Sequence, residues 1–337
     1  MKYLCSPCVP IWAILFFSAF FIGCGGNQDA VKPDVIVEES KSEEVMPEQV
    51  KFNADNAYNF IDEQVAFGPR VPGTKGHANC GKWLVEYMTQ HADKVFEQNV
   101  SLMAWDKREL PCKNIIAAFN PEAKKRIMLS AHWDTRPVAD EDTERKDEPI
   151  DGANDGGSGV GVLMEMARLL GEHNLNYGID IVLFDVEDYG NAAFQDSYCL
   201  GSQYWSKNPH IEDYDADYGI LLDMVGAEGA YFYKEGISMY YAPDIVAKVW
   251  DAAAKAGARS WFMYNEPPYP QITDDHLYVN RIAGIRTIDI IQYDKNNTEK
   301  GFGDFWHTHK DNMDIIDRKT LDAVGRTLVE LLWSEQN

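Results

Sequence analysis

The segment IDIVLFDVED at residues 179–188 carries the clearest structural pattern in this chain, a nearly continuous apolar run that ends in acids. The run YGILLDMV at 218–225 has the same character. Runs that do not alternate between apolar and polar residues are typical of parallel strands buried on both faces. Upstream, GGSGVGVLMEMARLL at 156–170 places apolar side chains on one face of a helix. Strands that alternate with helices predict a three-layer α/β fold, with helices on both faces of a mixed, mostly parallel twisted sheet.

The other predicted elements surround this centre. Asn53 can cap a first helix that Gly68-Pro69 ends, and a second helix covers about 78–90. Further strands are predicted at 95–103, 112–119, 126–131 and 285–291, and further helices at 243–257 and 318–334. Since no internal repeat and no linker rich in Gly or Pro interrupts these elements, residues 53–337 are expected to form one domain.

The composition of the whole chain is that of an ordinary globular protein. Of its 337 residues, 45% are hydrophobic and 25% are charged, which is enough for a sizeable core. The formal net charge is −23, which argues against a nucleic-acid partner because phosphate binding needs a basic surface. The acidity identifies no substrate, since a solvated acidic surface also explains it.

The first residues have the layout of an export signal. Lys2 precedes an apolar run at 11–22 that is short for a membrane-spanning helix. The ending FIGC at 21–24 resembles a bacterial lipoprotein signal, which implies a signal peptide at 1–23 and a lipid on Cys24. Phe21 stands where Leu is usual, so an uncleaved anchor is the alternative.

Residues 24–52 are predicted to be an acidic, disordered tether. Between residues 25 and 50 there are seven acids and two lysines, and such a segment has too little apolar surface to fold. Signal and tether together predict an exported bacterial lipoprotein, periplasmic or associated with the outer membrane, whose N-terminal lipid holds it to a membrane.

The cysteines predict no disulfide framework. Once the signal is removed and Cys24 is lipidated, three remain: Cys80, Cys112 and Cys199. Three cannot all pair within one chain, so at most one bridge can form. We interpret them as small buried side chains.

Potential metal ligands recur where apolar runs end or in the loops that follow. Five residues share this setting: His132, Asp155, Asp188, Asp223 and His307. Chemistry in α/β proteins gathers at the carboxyl ends of parallel strands, so the five are predicted to meet in one site, with Asp134 orienting His132. Each has a simpler explanation when taken alone: a histidine at a strand end is usually structural, and Asp155 can merely cap a helix. The glycines after Asp155 favour a metal, because they let the chain approach an ion closely.

The adjacent acids Glu187 and Asp188 are the most informative pair. At the end of a buried strand they repel each other unless a cation or a proton lies between them. One can bind metal while its neighbour transfers protons, a division of roles used in metal-assisted acyl chemistry. Asp185 just upstream adds a third acid, which weakens the alternative of two solvated loop residues. Asp223 is flanked by apolar residues, and buried aspartates are rare without a partner.

Two polar segments nearer the C-terminus complete the set of candidates. Asp274, in DDH at 274–276, could be no more than a helix start. In WHTH at 306–309, one histidine is predicted to be a ligand and the other to face solvent. The remaining histidines have no setting that suggests chemistry; they are His77, His91, His173, His210 and His276.

In this order the motifs resemble those of the M28-type zinc exopeptidases, and within them the glutaminyl-peptide cyclotransferases. The resemblance covers residues 53–335 and rests on HWD at 132–134, GANDGGSG at 152–159, the carboxylate pair, LLDMVGA at 221–227, DDH and FWHT at 305–308. It implies that the catalytic zinc is held by Asp155, Asp188 and His307. It further implies that Glu187 transfers protons, that Asp223 and Asp274 form a supporting acidic pair, and that Trp306 walls the substrate pocket.

The resemblance leaves the number of zinc ions open. In two-metal members of the superfamily, His132 and Asp223 join Asp155 around a second zinc, and all these positions are occupied here. One zinc is expected for a cyclotransferase, and the sequence permits a second. One departure concerns the pocket, because animal cyclases have Trp five residues past the metal carboxylate, where this chain has Ala193.

The implied reaction converts the N-terminal glutamine of a peptide or protein into pyroglutamate and releases ammonia. The substrate amine attacks the γ-carbonyl of its own residue, and Glu187 acts first as base and then as acid. The chief alternative is a di-zinc aminopeptidase that hydrolyses N-terminal residues with largely the same side chains. A binding scaffold that retains only the fold is a third hypothesis, although it would need neither Glu187 nor a complete ligand set.

Overall fold

A mixed sheet of six strands forms the centre of the fold. The computed structural model describes residues 50–266, 270–295 and 301–336. The strands are β1 Lys94–Met103, β2 Glu109–Phe119, β3 Arg126–His132, β4 Gly178–Phe184, β5 Tyr218–Asp223 and β6 Thr287–Ile291. In space they run in the order β1-β2-β4-β3-β5-β6.

Four of these strands are parallel. β4, β3, β5 and β6 pair in the parallel sense, whereas β1 and β2 form an antiparallel hairpin whose second strand pairs antiparallel to β4. Every residue of β3, β4, β5 and β6 is buried, which confirms the reading of the apolar runs. Because β4, β3 and β5 are neighbours with one direction, their carboxyl ends lie side by side.

Eight α-helices accompany the sheet in the described residues. They are α1 Ala54–Ala66, α2 Lys75–His91, α3 Gly157–Glu172, α4 Leu200–Lys207, α5 Gly236–Tyr241, α6 Pro243–Lys255, α7 Asp275–Tyr278 and α8 Arg318–Ser334. A π-helical turn, Val279–Ala283, follows α7 directly. Asn53 caps α1 as predicted, since its side chain accepts the N–H groups of Asp55 and Asn56.

Helices cover both faces of the sheet, so the three-layer α/β prediction is confirmed. Alternate strand residues point to opposite sides: Leu129 and Ile181 belong to one core, whereas Met128 and Val182 belong to a second core with Trp205 of α4. The first core is the larger and includes residues of α1, α2, α3, α6 and α8. Thirteen of the 16 residues of α3 are buried, so this helix is central to the packing.

The long predicted elements are confirmed, and the structure adds short ones. α8 has the predicted bounds, and α2 begins slightly before the predicted start, where Thr74 caps it. No sequence pattern predicts α4 or α5, because each has at most 8 residues and shows too few turns for a helical period. The helix start considered at DDH is the start of α7, which Asp274 caps.

The three cysteines of this domain are buried free thiols, as interpreted: Cys80, Cys112 and Cys199. Burial raises the pKa of Cys80 to about 12, so its thiol stays protonated at neutral pH. The described part of the chain is therefore held together by its apolar cores, with no bridge among these three residues.

The N-terminal predictions mostly fall on residues outside the described ranges. The signal peptide and the tether up to residue 49 lie there. Phe52, which the sequence boundary assigned to the tether, instead belongs to the core, because it is 8% exposed and its ring lies against Gly325 of α8. Among the residues that the structure describes, no helix has the length and apolar character needed to cross a membrane.

Candidate metal centre

The candidate ligands meet at one edge of the sheet. His132 is the last residue of β3 and Asp223 is the last residue of β5. Glu187 and Asp188 follow the end of β4, which lies on the other side of β3. The adjacency of these three strands brings the four side chains to the same edge, as expected for an open α/β sheet.

Asp155 reaches this edge from the loop before α3. A Cβ on Gly156 would lie 2.7 Å from the His132 ring, and a Cβ on Gly159 would lie 2.2 Å from the carbonyl oxygen of Leu222. Neither position has space for a side chain, because protein interiors are close-packed. The glycine-rich loop is therefore needed for close approach to the strands, which goes beyond the requirement of a helix cap.

Two buried charged residues that the sequence patterns did not single out, Arg70 and Asp311, hold this loop. The guanidinium of Arg70 donates to two loop carbonyl oxygens at 2.6 and 2.7 Å. The carboxylate of Asp311 accepts the N–H groups of Asn154 at 2.7 Å and Asp155 at 3.1 Å. The position of Asp155 thus depends on partners far away in the sequence.

Asp155, Asp188 and His307 form a first group of potential ligands. All three are buried, and one ligand atom from each lies within 4.8 Å of the others. His307 Nε2 is 3.5 Å from Asp188 Oδ1 and 3.9 Å from Asp155 Oδ2. Two donors about 2.1 Å from one tetrahedral ion would be roughly 3.4 Å apart, so these separations leave room for a shared cation.

Asp140 and Arg136 orient this first group, and neither was among the sequence candidates. Asp140 Oδ1 lies 3.3 Å from His307 Nδ1, so it can accept the proton there and leave Nε2 for a cation. Arg136 donates to both oxygens of Asp140, at 2.8 and 2.6 Å, and its Nη1 atom lies 3.4 Å from Asp188 Oδ1. His307 has a φ of +54°, a strained conformation that its surroundings must impose.

His132, Asp155 and Asp223 form a second group. His132 Nε2 lies 3.1 Å from Asp155 Oδ1 and 3.2 Å from Asp223 Oδ1. These are hydrogen-bond lengths, so a proton can link the Nε2 atom of His132 to these carboxylates without a cation. Asp155 faces the first group through Oδ2 and the second through Oδ1, which is the arrangement of a bridging carboxylate.

Asp134 fixes the loop that carries the adjacent acids. It accepts the backbone N–H of Glu187 at 3.0 Å and that of Asp188 at 3.2 Å. The sequence predicted a different task, the orientation of His132. The distance from Asp134 Oδ1 to His132 Nδ1 is 3.6 Å, which is too long for a hydrogen bond.

The adjacent acids enter different surroundings. Asp188 joins the first group, whereas a carboxylate oxygen of Glu187 lies near Cys199 and Asp274. Val186, the preceding residue, has a φ of +54°, which a β-branched side chain adopts only under constraint. The strained turn is thus part of what directs the two carboxylates apart.

Glu187 has the properties of a proton-transfer group. Burial raises its pKa well above the usual range, with His132 opposing this shift and Asp188 adding to it. A carboxyl group with a raised pKa can both accept and return a proton near neutral pH. The thiol of Cys199 lies 3.1 Å from Glu187 Oε1.

Asp274 borders a buried cluster that the sequence analysis missed. It caps α7, its Oδ2 atom has no hydrogen-bond partner, and ligand atoms of His276 and Asp289 lie within 4.8 Å. Asp289 is a buried acid between the isoleucines of strand TIDII, and that departure is the signal that could have revealed it. Burial raises the pKa of Asp274 and also raises that of Asp223 to about 7. The direct sharing of a proton between Asp223 and Asp274 stays a prediction.

Two histidines that the sequence left without a role are buried and paired. His77 Nε2 lies 2.9 Å from Asp185, which gives this buried acid a partner of its own. His276 Nε2 lies 3.0 Å from Glu235 Oε2. His77 therefore compensates the third acid of this segment, and both pairs are structural supports of the sheet edge.

The residues beside His307 differ in their surroundings. The ring of Trp306 stacks on that of His307, with centroids 3.7 Å apart, and remains partly exposed. His309 does not face solvent as expected: its Nδ1 atom lies 2.8 Å from Asp142, and its side chain is only 17% exposed. Ala193 is exposed, and its methyl group provides no aromatic ring at the position discussed for the pocket.

The first group fits a zinc ion chemically. One imidazole nitrogen and two carboxylates are ligands that catalytic zinc accepts. Burial and the nearby charge of Asp155 raise the pKa of Asp188, and its buried Oδ2 atom has no hydrogen-bond partner. A divalent cation would stabilise these two buried carboxylates and give the Oδ2 atom of Asp188 a partner, so the first group is the better candidate metal centre.

Comparison with known proteins matches this arrangement to one family. Residues 114–332 match the model of Peptidase family M28. The matched segment contains every candidate ligand described above.

Solved structures are similar over nearly their whole length. Glutaminyl cyclase from Porphyromonas gingivalis is 52% identical, with a TM-score of 0.82, and the match covers 84% of this chain and 99% of that chain. Glutaminyl cyclase from Bacteroides thetaiotaomicron bound to N-acetylhistamine is 50% identical, with a TM-score of 0.81 and coverage of 84% and 98%. A protein described as a leucine aminopeptidase precursor from Bacteroides thetaiotaomicron is 49% identical, with a TM-score of 0.80 and coverage of 85% and 98%.

Proposed function

This chain belongs to peptidase family M28, and we propose that within the family it is a glutaminyl-peptide cyclotransferase. Its substrates are peptides or proteins with N-terminal glutamine, which it converts to pyroglutamate with release of ammonia. Bacterial glutaminyl cyclases that are 50% and 52% identical support this assignment.

The proposal depends chiefly on one observation, the different surroundings of Glu187 and Asp188. One carboxylate lies with Asp155 and His307, and its neighbour lies outside that group with a raised pKa. A site that only binds metal has no use for the second acid in this position. A site that moves a proton beside a polarised carbonyl needs both.

The reaction follows from these positions. Zinc held by Asp155, Asp188 and His307 would polarise the γ-carbonyl of the substrate glutamine as a Lewis acid. Glu187 accepts a proton from the substrate α-amine during its attack on that carbon, and returns it to the departing ammonia. The nucleophile belongs to the substrate, so ring closure consumes no water and gains from proximity. Trp306, partly exposed beside His307, walls the pocket that holds the glutamine side chain.

We propose a single catalytic zinc. The second group supports this, because His132 already lies at hydrogen-bond distance from Asp155 and Asp223. Metal analysis of the purified chain should give about one zinc per protein after dialysis. Two tightly held ions would contradict the proposal.

The chief alternative is an aminopeptidase, and the similarity to a protein described as a leucine aminopeptidase precursor makes it the one to test. The full chain in detergent, loaded with zinc, is given one peptide that begins with glutamine and one that begins with leucine. Mass spectrometry should show loss of ammonia from the first and no change in the second. Release of leucine with the glutamine peptide unconverted would identify an aminopeptidase.

We also propose that the protein is exported and anchored by a lipid on Cys24. The support is the FIGC ending of the apolar run and the acidic segment that follows it. Cys24→Ala should release the protein from the membrane fraction of the producing bacterium. A variant that stays in that fraction would show that the apolar run itself is the anchor.

A further inference from the structure

The proton-transfer residue Glu187 has a neighbour whose chemistry the proposed reaction does not use, the thiol of Cys199. The Sγ atom lies 3.1 Å from Glu187 Oε1, and Cys199 is fully buried. Burial raises the pKa of this thiol well above its usual value, and the charge of Glu187 raises it further. The thiol therefore keeps its proton, and a thiol that faces a carboxylate oxygen acts as the donor.

The backbone of Cys199 is tied to the same glutamate. Its N–H donates to the carbonyl oxygen of Glu187 at 2.8 Å, and the N–H of Leu200 donates to that of Val186 at 2.9 Å. Cys199 precedes α4 with a φ of +58°, a conformation that is unfavourable for a residue with a side chain. The main chain and the thiol of Cys199 thus both hold Glu187 in place, and Cys199 adopts a strained backbone conformation to do so.

Asp274 also lies close to the glutamate. One atom each from Glu187, Cys199 and Asp274 lies within 4.8 Å of the other two. A second carboxylate repels the first, so the Glu187 side chain needs a donor to keep it in place. A thiol is a weak, neutral donor, and it can orient Glu187 without the positive charge that would make this carboxylate a poorer base.

We propose that Cys199 is a positioning residue that holds the carboxylate of Glu187 in the orientation for proton transfer. This inference rests on the proposed function, because it assumes that Glu187 transfers the proton. Cys199 acts through Glu187 and is not one of the ligands of the first group. Its hydrogen bond should therefore affect turnover more than substrate binding or metal binding.

The test compares variants of Cys199 in the full chain with a glutamine-initiated peptide. Cys199→Ala should lower kcat about three- to tenfold, with KM and zinc content unchanged, because only the orienting hydrogen bond is lost. Cys199→Ser keeps a donor and should stay within about twofold of the wild-type kcat. Cys112→Ala is the matched control, since it removes a buried thiol that donates to Asn114 Oδ1, and it should leave kcat unchanged.

A further variant separates the thiol from the backbone strain. Cys199→Gly relieves the positive φ while it removes the thiol, so it should lose as much kcat as the alanine variant even where it is the more stable protein. A wild-type kcat in the alanine or glycine variant would overturn the inference. An equal loss in the serine and alanine variants, matched by equal losses of thermal stability, would also overturn it and indicate packing. A wild-type protein that forms no pyroglutamate would overturn the proposed function, and this inference with it.

Discussion

At the scale of single residues, the chemistry of this site depends on the different positions of two neighbouring carboxylates. Glu187 and Asp188 are adjacent in sequence, yet Asp134 accepts both of their N–H groups and a strained turn precedes them. Asp188 consequently lies with the other potential ligands, and Glu187 does not. Equal chemical groups acquire different roles because the backbone between them is fixed.

Removal of the proton acceptor should separate catalysis from metal binding. Glu187→Gln should lower kcat about 100- to 10,000-fold, because glutamine keeps the shape of the side chain but cannot take a proton. Zinc content and thermal stability should stay at wild-type values. Glu86→Gln, an exposed change on α2, is the matched control and should be fully active. A Glu187→Gln enzyme that keeps most of its turnover would remove this residue from the mechanism.

The two histidines near Trp306 should differ in their effect on zinc. His307→Ala removes one of three proposed ligands and should lower the zinc content that survives dialysis. His309→Ala breaks only a pair with Asp142 and should keep the wild-type content. Elemental analysis measures the zinc content of both variants. Loss of zinc from His309→Ala but not from His307→Ala would mean that the wrong histidine has been assigned.

The candidate ligands were predictable from sequence, whereas the residues that orient them were not. A polar residue at the end of an apolar run is visible in a linear pattern, as for His132 and Asp223. Asp311 acquires its role through hydrogen bonds to a loop more than 150 positions away in the sequence. Cys199 likewise lies within QDSYCLGS, where no local pattern indicates a contact with Glu187.

At the scale of elements, the start of α3 connects the fold to the site. Its glycines bring the helix against the ends of β3 and β5, and Asp155 enters from the preceding loop. Long amphipathic helices were predicted correctly because their periodicity extends over several turns, and buried strands because their apolar runs are nearly continuous. The short helices α4 and α5 escaped prediction because their 8 and 6 residues show too little of a period.

Close packing around α3 predicts the sign of a change in stability, because helix propensity and steric contact act in opposite directions at Gly159. Alanine has a higher helix propensity than glycine, and this effect alone would make Gly159→Ala stabilise the protein by about 0.5–1 kcal/mol. The added Cβ would lie 2.2 Å from the carbonyl oxygen of Leu222, so we expect a net loss of about 1–3 kcal/mol in the free energy of unfolding. Urea denaturation measures the difference, and a stabilised variant would refute the role given to this glycine.

At the scale of the whole molecule, buried ion pairs should make stability depend on pH. Burial opposes ionisation of Glu235, but hydrogen bonds from His276 and from the N–H groups of Ile237 and Ser238 lower its pKa from 4.5 to about 2. This shift corresponds to about 3 kcal/mol of stability. Because the pKa is lowered in the folded state, the contribution is complete above about pH 4.5 and is lost as pH falls toward 2.

A variant that removes the Glu235 carboxylate should therefore lose stability in a pH-dependent way. Glu235→Gln should unfold about 2–3 kcal/mol more easily than wild type at pH 7, with a smaller difference near pH 3. Glu86→Gln, which changes an exposed pair with Lys82, should shift stability by about 0.5 kcal/mol or less at both values. Urea unfolding at the two pH values measures both, and a pH-independent loss for Glu235→Gln would contradict the linkage.

The central claim is that the chain closes a ring within its substrate and consumes no water. The most direct measurement incubates the full, zinc-loaded chain with a glutamine-initiated peptide in water enriched in heavy oxygen, followed by mass spectrometry. We predict a product that has lost one ammonia and carries no heavy oxygen. Incorporation of the label, either into released glutamine or into a peptide that now begins with glutamate, would show that water is the nucleophile and would contradict the proposed function.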